Sequence, residues 1–176
     1  FYKNSNPRDV LEKLLDNFNH RFNEDMQLQI SSLNDQLAAL MRKDGRSEET
    51  IAQSLFDVRD VVIVASLIEK ESTSPSESSK ISGVIYNRLF NWDYPALLNI
   101  DAAIVYAQGG DAETIDTKLD SPYNTYLYPG LVPGPIANPG LASLKAALNP
   151  EATNYYFYVL DPAEGRHKFS ATLDEH

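Results

Sequence analysis

Glu69 and Glu71 stand two residues apart at the end of an apolar run, Ala65-Ser66-Leu67-Ile68-Glu69-Lys70-Glu71-Ser72. Carboxyls in such a setting suit the protonation of a leaving oxygen in glycosidic-bond cleavage. On a helix, positions two apart project about 200° from each other, so the pair cannot face each other as two cooperating acids. They need different tasks. Glu71 follows Val64, Leu67 and Ile68 at helical spacing, which places it on the apolar face, where desolvation raises a carboxyl pKa. Glu71 is therefore the better general acid, and Glu69 is left as a substrate-binding candidate. The competing reading leaves both glutamates solvated at a helix end.

Asp101 is the second carboxylate to weigh, either as the N-cap of the apolar run behind it or as a catalyst. Tyr123-Asn124-Thr125-Tyr126 combines hydroxyl and amide groups with aromatic faces, a set suited to sugar rings and N-acetyl groups, or else a loop pinned by its own hydrogen bonds. Asn87 and Arg88 follow the apolar stripe of their helix and are placed to orient Glu71 or a glycan, although an Arg at a helix end equally serves the dipole. Asn138, Phe169 and Thr172 complete the substrate-binding candidates, with His176 beside them. His20, His167 and His176 are too scattered for a ligand cluster, so neither metal nor cofactor is expected.

The elements that must position these groups follow from periodicity. Asn6-Pro7 starts an amphipathic helix over about 7–24 with Val10, Leu11, Leu14, Leu15, Phe18 and Phe22 on one side, and Leu28, Leu33, Leu37, Leu40 and Met41 form a second stripe ending near Gly45. Together they predict a helical hairpin that packs on the core, 1–56, ahead of a catalytic domain, 57–176. Val58 to Glu71 is apolar nearly all round and predicts a buried helix. Ser74-Pro75-Ser76-Glu77 reads as a capping box for the next helix, which makes Glu77 a structural cap, and Asp101 to Tyr106 reads as a short helix stopped at Gly109-Gly110. The segment 111–138 is rich in Pro, Gly, Asn and Tyr, too aromatic for disorder, and predicts an ordered groove wall. Asn138-Pro139 predicts a helix to Leu148, Tyr155 to Leu160 a strand, and His167 to Ser170 its returning partner. The fold class is α+β, mostly helical, with a small antiparallel hairpin.

Fifteen Lys and Arg against 25 Asp and Glu give a formal charge of -10, which argues against a nucleic-acid surface and suits a neutral or weakly charged sugar polymer. The chain has no cysteine, so disulfides and thiolate metal sites are excluded. No apolar run approaches the roughly 20 residues that a membrane span needs.

The pieces Ala65 to Glu71, Tyr86-Asn87-Arg88-Leu89, Ile100 to Tyr106, Ser121 to Tyr126, Gly134 to Gly140, Ser143 to Ala147, and Phe169-Ser170-x-Thr172 before Glu175-His176 follow one another in an order and spacing that resembles the YceG-like family of endolytic murein transglycosylases. The resemblance runs from about Val61 to His176. It implies a lysozyme-like catalytic domain in which the second glutamate of the E-K-E triplet, Glu71, is the catalytic group. It further implies cleavage of peptidoglycan glycan strands to 1,6-anhydro-muramic ends, one glutamate serving as acid and then base, with cell-wall synthases open as partners. An amino-terminal membrane anchor, absent from this chain, would hold the full protein at the extracytoplasmic face of the bacterial membrane. Two positions depart from the family pattern: Asn99 stands where Gln is usual, and Val132 replaces the first proline of Pro-Pro-Gly.

Two rivals stand beside this reading. A non-catalytic glycan-binding or scaffold module of the cell-wall machinery would keep the tyrosine-rich loop without a perturbed Glu71. A pyridoxal-phosphate aminodeoxychorismate lyase, an older label of the family, would use a lysine such as Lys70 or Lys145, but no glycine-rich phosphate cup accompanies them.

Overall fold

Asp57 and Asp60 bond reciprocally to each other's backbone N–H groups, a capping box that launches the central helix of the molecule. In the computed structural model, which describes residues 6–90, 96–110 and 114–176, seven helices precede one hairpin. They are α1 (Pro7–Arg21), α2 (Glu24–Lys43), α3 (Glu48–Gln53), α4 (Val58–Glu71), α5 (Ser78–Phe90), α6 (Asp101–Ala107) and α7 (Leu141–Leu148), followed by β1 (Phe157–Asp161) and β2 (Arg166–Ser170). Val61, Val64, Ala65, Leu67 and Ile68 of α4 are completely buried. Packing α7, α5, α6 and α2 around that helix encloses it, as its nearly all-round apolar sequence requires.

The two amino-terminal stripes have different fates. α2 buries Met26, Ile30, Leu33, Leu37, Ala38 and Met41. α1, capped by Asn6 with Pro7 in its first turn, buries no residue at all. Leu11, Leu14 and Leu15 are more than half exposed, and only Phe18 and the following Phe22 reach the core, with rings stacked at 5.4 Å. The leucines on the apolar side of α1 thus stay exposed among the described residues.

Three further expectations shift. Ser74 to Glu77 form a turn and not a capping box, since the Glu77 carboxylate is drawn away by Thr73 and His167. Asp101 is not an N-cap: Ile100 occupies that place without a side-chain bond, held through its N–H by Thr125 Oγ1 at 2.8 Å, and Asp101 is the first residue of α6. The helix expected at Asn138-Pro139 begins only at Leu141, because Glu69 reaches across to bind the Gly140 N–H and Ser143 Oγ at its start.

From 114 to 138 the chain has no helix or strand, yet it is ordered by side chains. Buried Asn124 donates to the carbonyls of Thr117 and Leu119 and accepts from the Tyr126 N–H, satisfying most of its capacity. Buried Ser66 on α4 accepts the Ile136 N–H at 3.0 Å and donates to Ile63 O. At the far end, β1 and β2 pair antiparallel with Tyr158 opposite Phe169 and Leu160 opposite His167, turning through Gly165 at φ 65. Strand alternation therefore puts Tyr158, Leu160, His167 and Phe169 on one face. Asn87 docks the approach to β1 on α5 through the carbonyls of Thr153 and Tyr155, and Arg88 adds a 2.6 Å bond to Tyr156 O.

Candidate active site

Glu71 is the last residue of α4, and the hairpin lies over it. Its carboxyl opens on a cavity of about 350 Å³ whose wall also includes Arg88, Asn99, Asp101, Tyr126, Phe157, Tyr158, His167 and His176. Tyr158 Oη donates to Glu71 Oε2 at 2.8 Å. Burial pushes the Glu71 carboxyl above its ordinary value and the negative charge of Asp101 pushes the same way. The Tyr158 hydroxyl, His167 and the Ala102 N–H pull back without cancelling the rise. The group is thus biased toward holding a proton. Tyr158, buried and facing that carboxylate, is itself held well above its usual range and remains a donor.

Asp101 lines the same cavity as Glu71, and Tyr126 Oη donates to its Oδ1 at 2.7 Å. Burial and that bond push the Tyr126 phenol up to about 12. Arg88 is a buried tie: Nη1 donates to Leu98 O at 2.6 Å and to Asn99 Oδ1 at 3.0 Å, while its guanidinium lies 5.3 Å from the centre of the Phe157 ring. Asn99 itself takes the left-handed conformation, φ 52, which asparagine tolerates better than most residues, so the departure from Gln sits where the backbone suits it.

Of the residues named from sequence as candidates, the fold brings Glu71, Arg88, Asp101, Tyr126 and His176 to one cavity. The others lie elsewhere. Glu69 is engaged at the start of α7, Asn87 holds the β1 approach, and Asn124 and Thr125 pin the loop from within. Tyr123 packs on Tyr106 at 5.0 Å between ring centres, Phe169 packs on Tyr155 and Tyr158, and Thr172 accepts the Glu175 N–H in the closing turn. Asn138 precedes α7 outside the cavity lining. Lys70 and Lys145 do not line it either. Sequence reasoning missed Tyr158, His167 as its neighbour, and Phe157. The signal available was the alternation of the strand, which puts Tyr158 and His167 on a shared face without saying what that face covers.

Among the described residues no group of three His, Asp or Glu is placed to hold a metal ion, and no helix is long and apolar enough to cross a membrane. The model of the YceG-like family matches residues 1–176. An endolytic murein transglycosylase of Bacillus subtilis (strain 168) is 38% identical over 153 residues, covering 83% of this chain and 41% of its own length. One of Streptococcus pneumoniae serotype 2 is 36% identical over 156 residues, covering 84% of this chain and 28% of its own. The crystal structure of a yceG-like protein from Listeria monocytogenes matches with a TM-score of 0.63 at 36% identity, over 73% of this chain and 42% of that one. The chain therefore spans well under half the length of these relatives.

Proposed function

Because the chain belongs to the YceG-like family, we propose that it is the part of an endolytic lytic transglycosylase that cuts peptidoglycan glycan strands, with Glu71 as its acid. The observation that supports this best is the Glu71 carboxyl, raised by burial at the edge of a cavity and opposed there by Asp101. A scaffold module would have no use for a carboxyl biased toward protonation.

Glu71 in its acid form gives its proton to the oxygen leaving C1 of muramic acid, and the C1–oxygen bond breaks. The C6 hydroxyl of the same sugar attacks C1, closing the 1,6-anhydro ring, and its proton passes to the Glu71 carboxylate. The acid is regenerated and no water is consumed. Intramolecular attack carries a large effective-concentration advantage, so a second carboxylate is not needed as nucleophile. Asp101, steadied by Tyr126, offsets the positive charge that develops at C1. The substrate is the glycan strand, and the whole protein, anchored through segments outside this chain, would act at the extracytoplasmic membrane face beside cell-wall synthases.

Digestion of purified sacculi with mass spectrometry of the products tests the reading. Glu71→Gln should lose about 10²–10⁴-fold in rate; a variant that still cuts at the normal rate would remove Glu71 from the reaction. In oxygen-18 water the new ends should be unlabelled anhydro sugars. Labelled reducing ends would instead make Asp101 the base of a hydrolysis.

A further inference from the structure

Glu77 is a buried carboxylate that neither caps a helix nor lines the cavity. Its oxygens take three donors: Thr73 Oγ1 at 2.8 Å, the His167 N–H at 2.7 Å, and His167 Nδ1 at 3.2 Å. Side chains of His167 and Glu77 are only 7% and 10% exposed. The His167 ring stands edge-on to Tyr158, 5.4 Å between centres at 88°, and Tyr158 donates to Glu71. Thr73, two residues past Glu71, returns the chain to Glu77. The contacts form a closed ring from Glu71 through Thr73, Glu77, His167 and Tyr158 back to Glu71.

We propose that Glu77 and His167 are positioning residues for the acid, clamping the hairpin so that the Tyr158 hydroxyl is held on Glu71 Oε2. The proposal rests on Glu71 being the acid. A carboxylate at Nδ1 fixes the tautomer and plane of a histidine, the same device that orients histidines elsewhere. With its ring fixed, His167 stands edge-on against the Tyr158 ring. The groups that face Glu71 are Tyr158 from β1, His167 from β2, and Asp101 with the Ala102 N–H from α6, with Tyr126 beyond Asp101. Only the first two depend on Glu77.

The test is the titration of the Glu71 side-chain carboxyl by carbon-13 NMR, assigned by its loss in Glu71→Gln and read in the wild-type chain, Tyr158→Phe, Glu77→Gln and the double variant. Removing the Tyr158 bond takes away a contact that favours the charged form, so the Glu71 midpoint should rise in Tyr158→Phe. It should rise in Glu77→Gln as well, because an amide cannot accept at both ends. The double variant should rise by less than the sum of the two single variants, since both changes act in part through one hydroxyl. Full additivity, or no movement in Glu77→Gln, would overturn the clamp. If Glu77→Gln does not fold, Thr73→Val removes one of the three donors and should move the midpoint the same way; an unmoved midpoint there overturns it equally. On sacculi, Glu77→Gln should lower kcat about two- to tenfold with KM unchanged. The NMR reading needs no turnover, so an inactive wild-type chain would count against the proposed function while the midpoints still decide the clamp.

Discussion

Glu71 carries a stability cost that follows from the same burial that biases it toward holding a proton. Its folded pKa lies above the unfolded value of 4.5, so between the two the unfolded chain has released its proton and the folded chain has not. Stability therefore falls as pH rises through that window and stays lower above it. Glu71→Gln removes this term while keeping an oxygen for Tyr158 to donate to. The variant should melt higher than the wild type at pH 7, each kcal/mol being worth about 2–4 °C in a chain of this size, and should show no such advantage near pH 4. Calorimetry at the two pH values checks it, and an equal advantage at both would mean that proton release is not the cause. Glu77 has the opposite sign. Burial, which would raise it, is outweighed by bonds from Thr73 and from the backbone and ring of His167, so its contribution is present above its unfolded pKa and is lost on acidification.

Among the elements, α4 and α7 are joined through a side chain that sequence reasoning placed in the glycan groove. Glu69 accepts the Gly140 N–H at 3.0 Å and the Ser143 hydroxyl at 2.5 Å, and so caps a helix 71 residues away. Glu69→Ala should cost about 0.5–2 kcal/mol, as loss of a cap does, with activity per folded molecule little changed. Urea melts beside sacculus digestion check this; an undiminished stability with lost activity would return Glu69 to the substrate. The divergence of Glu69 from Glu71 was legible because it is set inside one helix by its 3.6-residue period. The elements themselves, the buried helix at 58–71 and the hairpin at 157–170 above all, were legible for the same local reason. What covered Glu71 was not. Tyr158 is 87 residues away, and which strand face meets a helix is decided by docking, here by the ties from Asn87 and Arg88. Asp101 stayed open between cap and catalyst because Asp before an apolar run is ambiguous locally, whereas Thr125 on a distant loop takes the Ile100 N–H and sets where α6 begins.

For the molecule as a whole, the cavity lies where three kinds of structure meet: the end of α4 from the helical body, the start of α6 steadied by the loop that carries Tyr126, and the hairpin. None of these contacts involves α1. The first helix buries no residue, leaves Leu11, Leu14 and Leu15 more than half exposed, and touches the core only at its last turn through Phe18, next to buried Phe22. Burial of apolar surface is what would tie such a helix down, and isolated helices of this length are marginal in water. Deleting residues 1–17 keeps Phe18, Phe22 and the Asn23 cap of α2 in place. We therefore expect the shortened chain to melt within about 2–4 °C of the full one, the equivalent of less than about 1 kcal/mol, and to titrate Glu71 at the same midpoint. Scanning calorimetry and the carbon-13 titration read the two halves of that expectation. A large drop in melting temperature would mean that α1 is part of the folding unit and that its exposed leucines are covered in solution; a moved midpoint would mean that the amino-terminal segment reaches the acid.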